Sequence, residues 1–439
     1  MQNKILVINY YWPPCGGPAV QRWLNFTRYL PEHGIKPYVL TVDPEKAAFP
    51  AVDTSLLELV APEVEVIHTD TSVGVFEAYR KTLGKGQIPS TNLANEPKPG
   101  LLQKAARFVR GNFFLPDPRR SWNRYALPEA RRLIREQDIQ VIATAGPPHS
   151  THLIGRKLKR ENADLHWIAD LHDYWTDSSY VHKFYRTALA HRIDLNYERS
   201  VLWEADHVLT AYQMGCDRLW RKVPERGRAN FTGISMGYDE ELFPLPEPEE
   251  QDEFRITFTG TMTDNFNAEV FFRTLRKVWD AFPELPLRLC FVGWLADAVK
   301  DEISHNGLQE ALETPGYVPH EAAIRYLYRS SLLFLITPHF SGEKYHIPGK
   351  LYEYLATRKP ILCIAPHESE TAQILADCQA GINAERHEPE VIEKALTDWV
   401  KAWLAKRNID LPQTNQRFAR YSRRNETKRL AGLINTLLT

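Results

Sequence analysis

Phe243-Pro-Leu-Pro-Glu-Pro-Glu-Glu-Gln-Asp-Glu253 decides the architecture of this chain. It holds three prolines and five acids in eleven residues. Proline lacks an N–H and fixes φ, and unpaired carboxylates stay in water, so no buried strand or helix has this composition. The stretch reads as an exposed linker. On its N-terminal side, β-rich runs alternate with segments whose apolar residues recur at 3–4 spacing. The strand candidates there are Ile5–Asn9, Pro37–Val42, Val64–His68, Gln140–Ala145, Leu165–Leu171 and His207–Ala211. Helix candidates between them include Val20–Leu30, Leu127–Glu136 and Tyr185–Glu204. Beyond the linker the alternation restarts. Arg255–Thr259, Arg288–Val292, Leu332–Thr337 and Pro360–Ala365 read as strands, and Ala268–Ala281, Glu321–Arg329 and Pro389–Ala405 as helices. Such alternation predicts parallel sheets with helices on both faces, hence two doubly wound α/β domains. The Gly-, Pro- and Asn-rich stretch Gly84–Gly100 reads as a flexible loop within the first.

Composition narrows the function. The chain has 439 residues, with 54 Lys+Arg against 55 Asp+Glu and a formal net charge of −1. A whole-chain nucleic-acid binder would be strongly basic. Mean hydropathy is −0.40, and no apolar run approaches the ~18 residues of a membrane span. Cys15, Cys216, Cys290, Cys363 and Cys378 are odd in number and form no C-x-x-C. That argues against a disulfide framework or a zinc ribbon and fits a reducing, cytoplasmic setting. The apolar run at Ile5–Asn9 is short for a signal peptide and reads as the first strand.

In open α/β sheets ligands bind beyond the carboxyl ends of the strands, so the loops there carry the chemistry. After the first strand, Cys15-Gly16-Gly17-Pro18 opens a helix. Glycine allows close backbone approach, and a helix N-terminus attracts anions. The spacing is neither G-x-G-x-x-G nor a Walker A; a tight turn with aromatic packing is the alternative. Gly146-Pro147-Pro148-His149 repeats the strand–turn–helix pattern, with His152 three residues on and no carboxylate to complete a metal site. Asp170-Leu171-His172-Asp173 crowds three ionisable groups at a strand end, suited to binding hydroxyls or transferring a proton. His172 and Asp173 rank ahead of Asp170; a structural carboxylate–histidine pair is the alternative. Gly260 and Thr261 open the second domain's first loop. Last, Pro348-Gly349-Lys350 begins a helix with Glu353 one turn later. Amides, helix dipole and lysine make a diphosphate pocket, and Glu353 suits ribose hydroxyls. A surface Lys–Glu pair is the competing reading.

Together these loops resemble the retaining nucleotide-sugar glycosyltransferases of family 4. The resemblance rests on Pro13-Pro-x-Gly16-Gly17, His172-Asp173, Ile234–Phe243, Pro315–Pro319, Tyr352–Ile361 and Phe418–Ser422. It implies the GT-B architecture: two Rossmann-like doubly wound parallel-sheet domains facing across a cleft. Residues 1–242 would hold the acceptor, 243–253 the linker, 254–412 the nucleotide sugar, and 413–439 a helix crossing back. It also implies roles. Gly349 and Lys350 would face the donor diphosphate, Glu353 the ribose, and Tyr317 and Val318 the base. Gly260 and Thr261 would line the donor site, and Gly16 and Gly17 would approach it from the first domain. His172, with Asp173, would act at the transferred sugar. No metal or cofactor is implied, the nucleotide sugar being co-substrate. The partners would be that donor and a saccharide or lipid-linked acceptor, with no nucleic acid.

The sequence departs from the family pattern at two places. Tyr345 stands where the first carboxylate of E-x7-E belongs, with Glu343 nearby, and Thr261–Asn267 has no cation. A non-catalytic nucleotide-sugar-binding partner and a GT-B UDP-sugar epimerase therefore stand as alternatives. Charge is also uneven. Leu101–Arg135 and Lys401–Thr439 each hold nine Lys/Arg against two acids. Arg119, Arg120, Trp122 and Arg124 read as a surface for anionic lipid at the inner face of a membrane, or as solvated helix faces.

Overall fold

The computed structural model describes residues 2–47, 49–71, 100–178, 181–244, 252–340, 342–345, 347–405 and 416–439. The loop at 84–99, most of the linker at 243–253, and His346 lie outside them. The chain divides into two compact units, Met1–Met236 with Glu426–Thr439, and Gly237–Asn425.

In the first unit seven parallel strands form one sheet. They are β1 (Asn3–Ile8), β2 (Ile35–Val42), β3 (Glu65–Thr69), β4 (Val141–Gly146), β5 (His166–Leu171), β6 (His207–Thr210) and β7 (Phe231–Gly233). Their order is β3-β2-β1-β4-β5-β6-β7. Side chains alternate across a strand. Leu6, Ile8, Leu40, Ile142 and Trp167 therefore fill one core, and Ile5, Val7, Val39, Val141 and Ile168 fill another on the opposite face. Burial on both faces is why these strands are almost continuously apolar. The helix Arg423–Leu438 adds Leu430, Ala431 and Ile434 to the second of these cores.

The second unit repeats the plan with six parallel strands. These are β8 (Phe254–Thr259), β9 (Leu287–Val292), β10 (Leu312–Gly316), β11 (Leu332–Ile336), β12 (Ile361–Ile364) and β13 (Gly381–Ala384). They run β10-β9-β8-β11-β12-β13. In both sheets the strand order reverses beside the first strand, at β1/β4 and β8/β11, where doubly wound folds bind ligands. Phe254, Ile256 and Phe258 pack under the helix Glu269–Ala281, whose Phe271 stacks on Phe334 at 3.9 Å.

Strands β7 and β13, three and four residues long, have no counterpart among the sequence candidates. The expected strand at Pro315–Pro319 lies earlier: β10 ends at Gly316. The helix expected from Tyr185 starts at Ala188, because Tyr185 takes a φ of +47° and the Thr187 side chain caps the Ala190 amide.

The expected cation–aromatic surface at 119–124 is corrected at Trp122, while Arg120 and Arg124 are exposed. Trp122 is fully buried, its indole donating to Thr69 Oγ1 at 2.8 Å. The Arg119 and Arg120 guanidiniums lie over the Tyr10 and Tyr197 rings, at 5.6 and 5.3 Å. These residues pack the unit together. In the C-terminal basic stretch, Arg423 pairs with Asp239, Arg424 with Glu241 and Arg429 with Glu426. No helix among the described residues is long and apolar enough to cross a membrane.

Candidate active site

In the second unit, β8 ends on Thr259 and turns at Gly260, whose φ is +100°. A Cβ there would stand 3.2 Å from Lys350 Nζ. Lys350 opens the helix Lys350–Thr357. Tyr354, on that helix, accepts the Thr259 amide at 2.9 Å and so fixes the helix to β8. The Leu351 and Tyr352 amides close on the carbonyls of Pro348 and Gly349. The amides before them, on Gly349 and Lys350, stand at the open end of the helix, where its dipole is positive.

The Lys350 ammonium lies 3.5 Å from the centroid of the Phe258 ring. Burial lowers its pKa to about 7, with Glu353 opposing. An anion bound at the helix start would favour the charged form. Glu353 Oε1 lies 2.9 Å from His320 Nε2, and this hydrogen bond raises the His320 pKa against the effect of burial. Neutralising the carboxylate in Glu353→Gln should weaken binding of a ribose-containing ligand about tenfold, as expected for a charge-assisted hydrogen bond. Calorimetric titration of nucleoside diphosphates measures this.

Glycines stand in the turns at the carboxyl ends of the neighbouring strands β8, β9 and β10. Gly260 N donates to Val292 O at 2.7 Å, and Gly293 N donates to Gly316 O at 2.8 Å. Gly293 has a φ of +128°, and a Cβ on it would meet the Gly260 carbonyl oxygen at 2.4 Å. Gly293→Ala should therefore destabilise this unit by about 3 kcal/mol or more, since backbone must move as well as tolerate the strain. Urea unfolding measures the loss. Thr261 is exposed, Val318 half-buried, and Tyr317 93% exposed just beyond β10.

Glu343 is buried after β11. It accepts from Arg386 Nη1 at 2.7 Å and from the Thr337 hydroxyl. The carboxylate near the E-x7-E position is thus held by its own unit.

In the first unit the paired glycines differ. Gly16 is buried, and its amide donates to Ala51 O at 3.0 Å. Gly17 is exposed with a φ of +99° and precedes the helix Pro18–Tyr29. The structure therefore leaves Gly17, not the Gly16 amide, open to a ligand. At the end of β5, Asp170 is structural. It accepts from Arg22 Nε at 2.7 Å, Arg22 Nη2 at 3.1 Å and the Trp23 indole at 2.7 Å, fully buried. His172 follows, its amide on Gly146 O at 3.1 Å and its side chain 13% exposed. Its Nε2 is 4.0 Å from Asp173 Oδ1, too far for a hydrogen bond. Its Nδ1 is buried with no hydrogen-bond partner among the described residues.

His149 stacks on Trp175 at 4.8 Å, and His152 Nδ1 lies 2.9 Å from Thr144 Oγ1. Burial drives the His149 pKa well down and that of His152 to about 4, so both are neutral at physiological pH. Among the described residues no group of three or more His, Cys, Asp or Glu could hold a metal ion.

The stretch that carries this site resembles a known family. Residues 239–424 match the model for glycosyl transferases group 1. Solved structures extend the likeness to the whole chain. A glycosyltransferase from Rickettsia africae superposes with a TM-score of 0.62 at 12% identity, covering 100% of this chain and 99% of that one. Sucrose-phosphate synthase from Thermosynechococcus elongatus gives 0.60 at 14% identity, covering 99% of each. A TarM mutant from S. aureus, in complex with fondaparinux, alpha-GlcNAc-glycerol and UDP, gives 0.58 at 11%, covering 99% and 100%. The fold is GT-B. No curated protein sequence matches the chain.

Within this GT-B chain the second unit gathers Gly260, Gly349, Lys350 and Glu353 at one end of its sheet. Sequence reasoning did not name Phe258 or His320. His320 directly follows the Pro315–Pro319 motif, and that position was its one signal. Phe258 had none, because a strand phenylalanine is ordinarily core.

Proposed function

We propose that the protein is a retaining glycosyltransferase that moves a sugar from a nucleotide-diphosphate sugar to an acceptor hydroxyl. The observation that carries this reading is Lys350. Its ammonium stands at a helix N-terminus, 3.2 Å from where a Cβ on Gly260 would be. The glycine leaves room beside the ammonium for a phosphate to approach, and the helix N-terminus favours an anion. In the reaction the bond from the anomeric carbon to the diphosphate oxygen breaks, and the acceptor oxygen bonds to that carbon. The acceptor proton passes to the departing phosphate. Lys350 and the Gly349 and Lys350 amides stabilise the charge developing on the leaving group. Glu353 holds the ribose, and Tyr317 and Val318 lie toward the base.

Retention, the contact of His172 with the transferred sugar, and a role for Asp173 and Gly17 rest on the sequence resemblance. So does an acceptor in cell-surface polysaccharide or glycoconjugate synthesis, which would place the reaction in the cytoplasm, against a membrane if the acceptor is lipid-linked. The nucleotide sugar is the co-substrate. A panel of UDP-, GDP- and ADP-sugars tests the proposal, with nucleoside diphosphate release and product anomer followed by chromatography and NMR. Transfer with retention from one donor supports it. The engagement of Glu343 by Arg386, with Tyr345 in place of a carboxylate, favours a second reading: a non-catalytic nucleotide-sugar binder. Binding without turnover would support that reading, and conversion of the donor to its epimer would support an epimerase.

A further inference from the structure

In the first unit a cavity of about 470 Å³ opens beside the segment that joins β5 to the helix Ala188–Glu204. Its wall includes Thr176, Asp177, Ser178, Tyr185, Arg186 and His191. Small-molecule sites span about 300–1,000 Å³, so the volume suits one. The wall is held from behind. The Trp175 indole donates to Asp194 Oδ1 at 2.8 Å, and Arg186 Nη1 pairs with Asp194 Oδ2. The Thr176 hydroxyl donates to Glu198. Asn112 donates to the Tyr185 carbonyl at 3.1 Å and accepts from the Thr187 amide at 2.7 Å. Gly111 abuts the same turn, where a Cβ would stand 2.4 Å from the Phe184 carbonyl oxygen. A wall fixed by such contacts has little ordering left to do when a ligand arrives.

The charges in and behind this wall cancel. Asp194 pairs with Arg186, Glu198 with Lys222 at 2.7 Å, and Asp177 with Lys222 at 3.0 Å and Arg218 at 3.1 Å. Asp194 and Glu198 are fully buried, which a carboxylate tolerates only when paired. Three carboxylates thus meet three cations, and none of these cations is left over for a phosphate or carboxylate ligand.

What remains is hydrogen-bonding capacity without net charge. Lys222 and Arg218 both grip Asp177 Oδ2, which leaves Oδ1 to accept from a ligand. Arg186 Nε is buried with no hydrogen-bond partner among the described residues, so it can donate. The Ser178 hydroxyl and the His191 ring make no side-chain hydrogen bond among the described residues, and each can donate or accept. Tyr185, 42% exposed, adds an aromatic ring. Sugar hydroxyls each donate and accept, and the C–H face of a pyranose packs on such a ring. Phosphate and carboxylate groups instead favour unpaired cations.

We propose that this cavity binds an uncharged sugar ring, the terminal unit of the acceptor. Asp177 Oδ1 and Arg186 Nε hold hydroxyls, Ser178 and His191 take others, and Tyr185 packs on the ring. The acceptor role rests on the transferase reading; the sugar site itself does not. Saturation-transfer NMR and titration of the full chain test it. The probes are methyl glycosides of glucose, galactose, mannose and N-acetylglucosamine, with those of glucuronate and galacturonate as charged counterparts. At least one neutral glycoside should bind, and the charged ones at least about tenfold more weakly. His191→Ala should weaken that binding about tenfold. Tyr185→Asn should do the same, asparagine being tolerant of the φ of +47°. Both positions are exposed and outside the buried ion pairs, so circular dichroism and thermal melting should be unchanged. In transfer assays the acceptor KM should rise in the same proportion. Failure of every neutral glycoside to bind overturns the proposal, as does equal binding of the charged ones or binding indifferent to both variants. Transfer with an unchanged acceptor KM in both variants overturns it while the transferase reading stands. Binding that the variants weaken, with no donor turned over, upholds the sugar site and overturns the transferase reading instead.

Discussion

Lys350→Gln is expected to lower the rate of sugar transfer by about 10²-fold or more, the scale of losing one preorganised group that stabilises charge in a transition state. The argument is local. Lys350 is the cation at the start of its helix, its ammonium rests on Phe258 at 3.5 Å, and burial depresses its pKa to about 7. A lysine in that state is poorly solvated and gains most when an anion arrives. Glutamine keeps a donor, one atom shorter, but carries no charge, so a merely structural role would leave the rate near that of the parent. Steady-state kinetics on the donor identified by the panel decides between the two. Gly260→Ala serves as a companion, because it narrows the same space from the other side without touching the charge.

The second large effect concerns stability. Asp170→Asn should destabilise the first unit by about 3–5 kcal/mol, because it strands the Arg22 guanidinium in the core. Both side chains are 1% exposed, and Arg22 also donates to the Ile234 carbonyl at 2.5 Å. This pair ties the helix Pro18–Tyr29 to β5 and to the segment after β7. Denaturant unfolding should show a clear fall in midpoint; an unchanged midpoint would mean that the pair contributes nothing net. If transfer activity falls, it should do so only in proportion to the folded fraction, since Asp170 accepts from Arg22 and Trp23 and is buried away from solvent.

The α/β alternation was legible because central strands of a doubly wound sheet are buried on both faces. β1, β4 and β11 stand out as apolar runs for that reason. β10, Leu-Glu-Thr-Pro-Gly, sits at an edge where one side needs no partner, so it tolerates Glu313 and Pro315 and is faint by composition. That Gly349, Lys350 and Glu353 open one helix was legible because glycine and a charged residue at a helix start are unusual in an apolar context. The role of Asp170 was not, because its partner Arg22 lies far away in sequence and only the sheet brings them together. Trp122 misled for a related reason: tryptophan amid arginines resembles a membrane surface, yet its indole is buried on Thr69.

The pocket is tested most directly by calorimetric titration of UDP, GDP and ADP into the protein and into Lys350→Gln, on either side of the lysine's pKa of about 7. On the proposed reading a diphosphate binds the protonated lysine. With that pKa, the free protein carries the charge below it and loses it above. Affinity should therefore be highest on the acid side and fall by up to about tenfold per pH unit above it. Lys350→Gln should bind at least about tenfold more weakly on the acid side and lose this pH dependence. Equal affinity in the two proteins, with the same pH profile, would contradict a donor diphosphate held at Lys350.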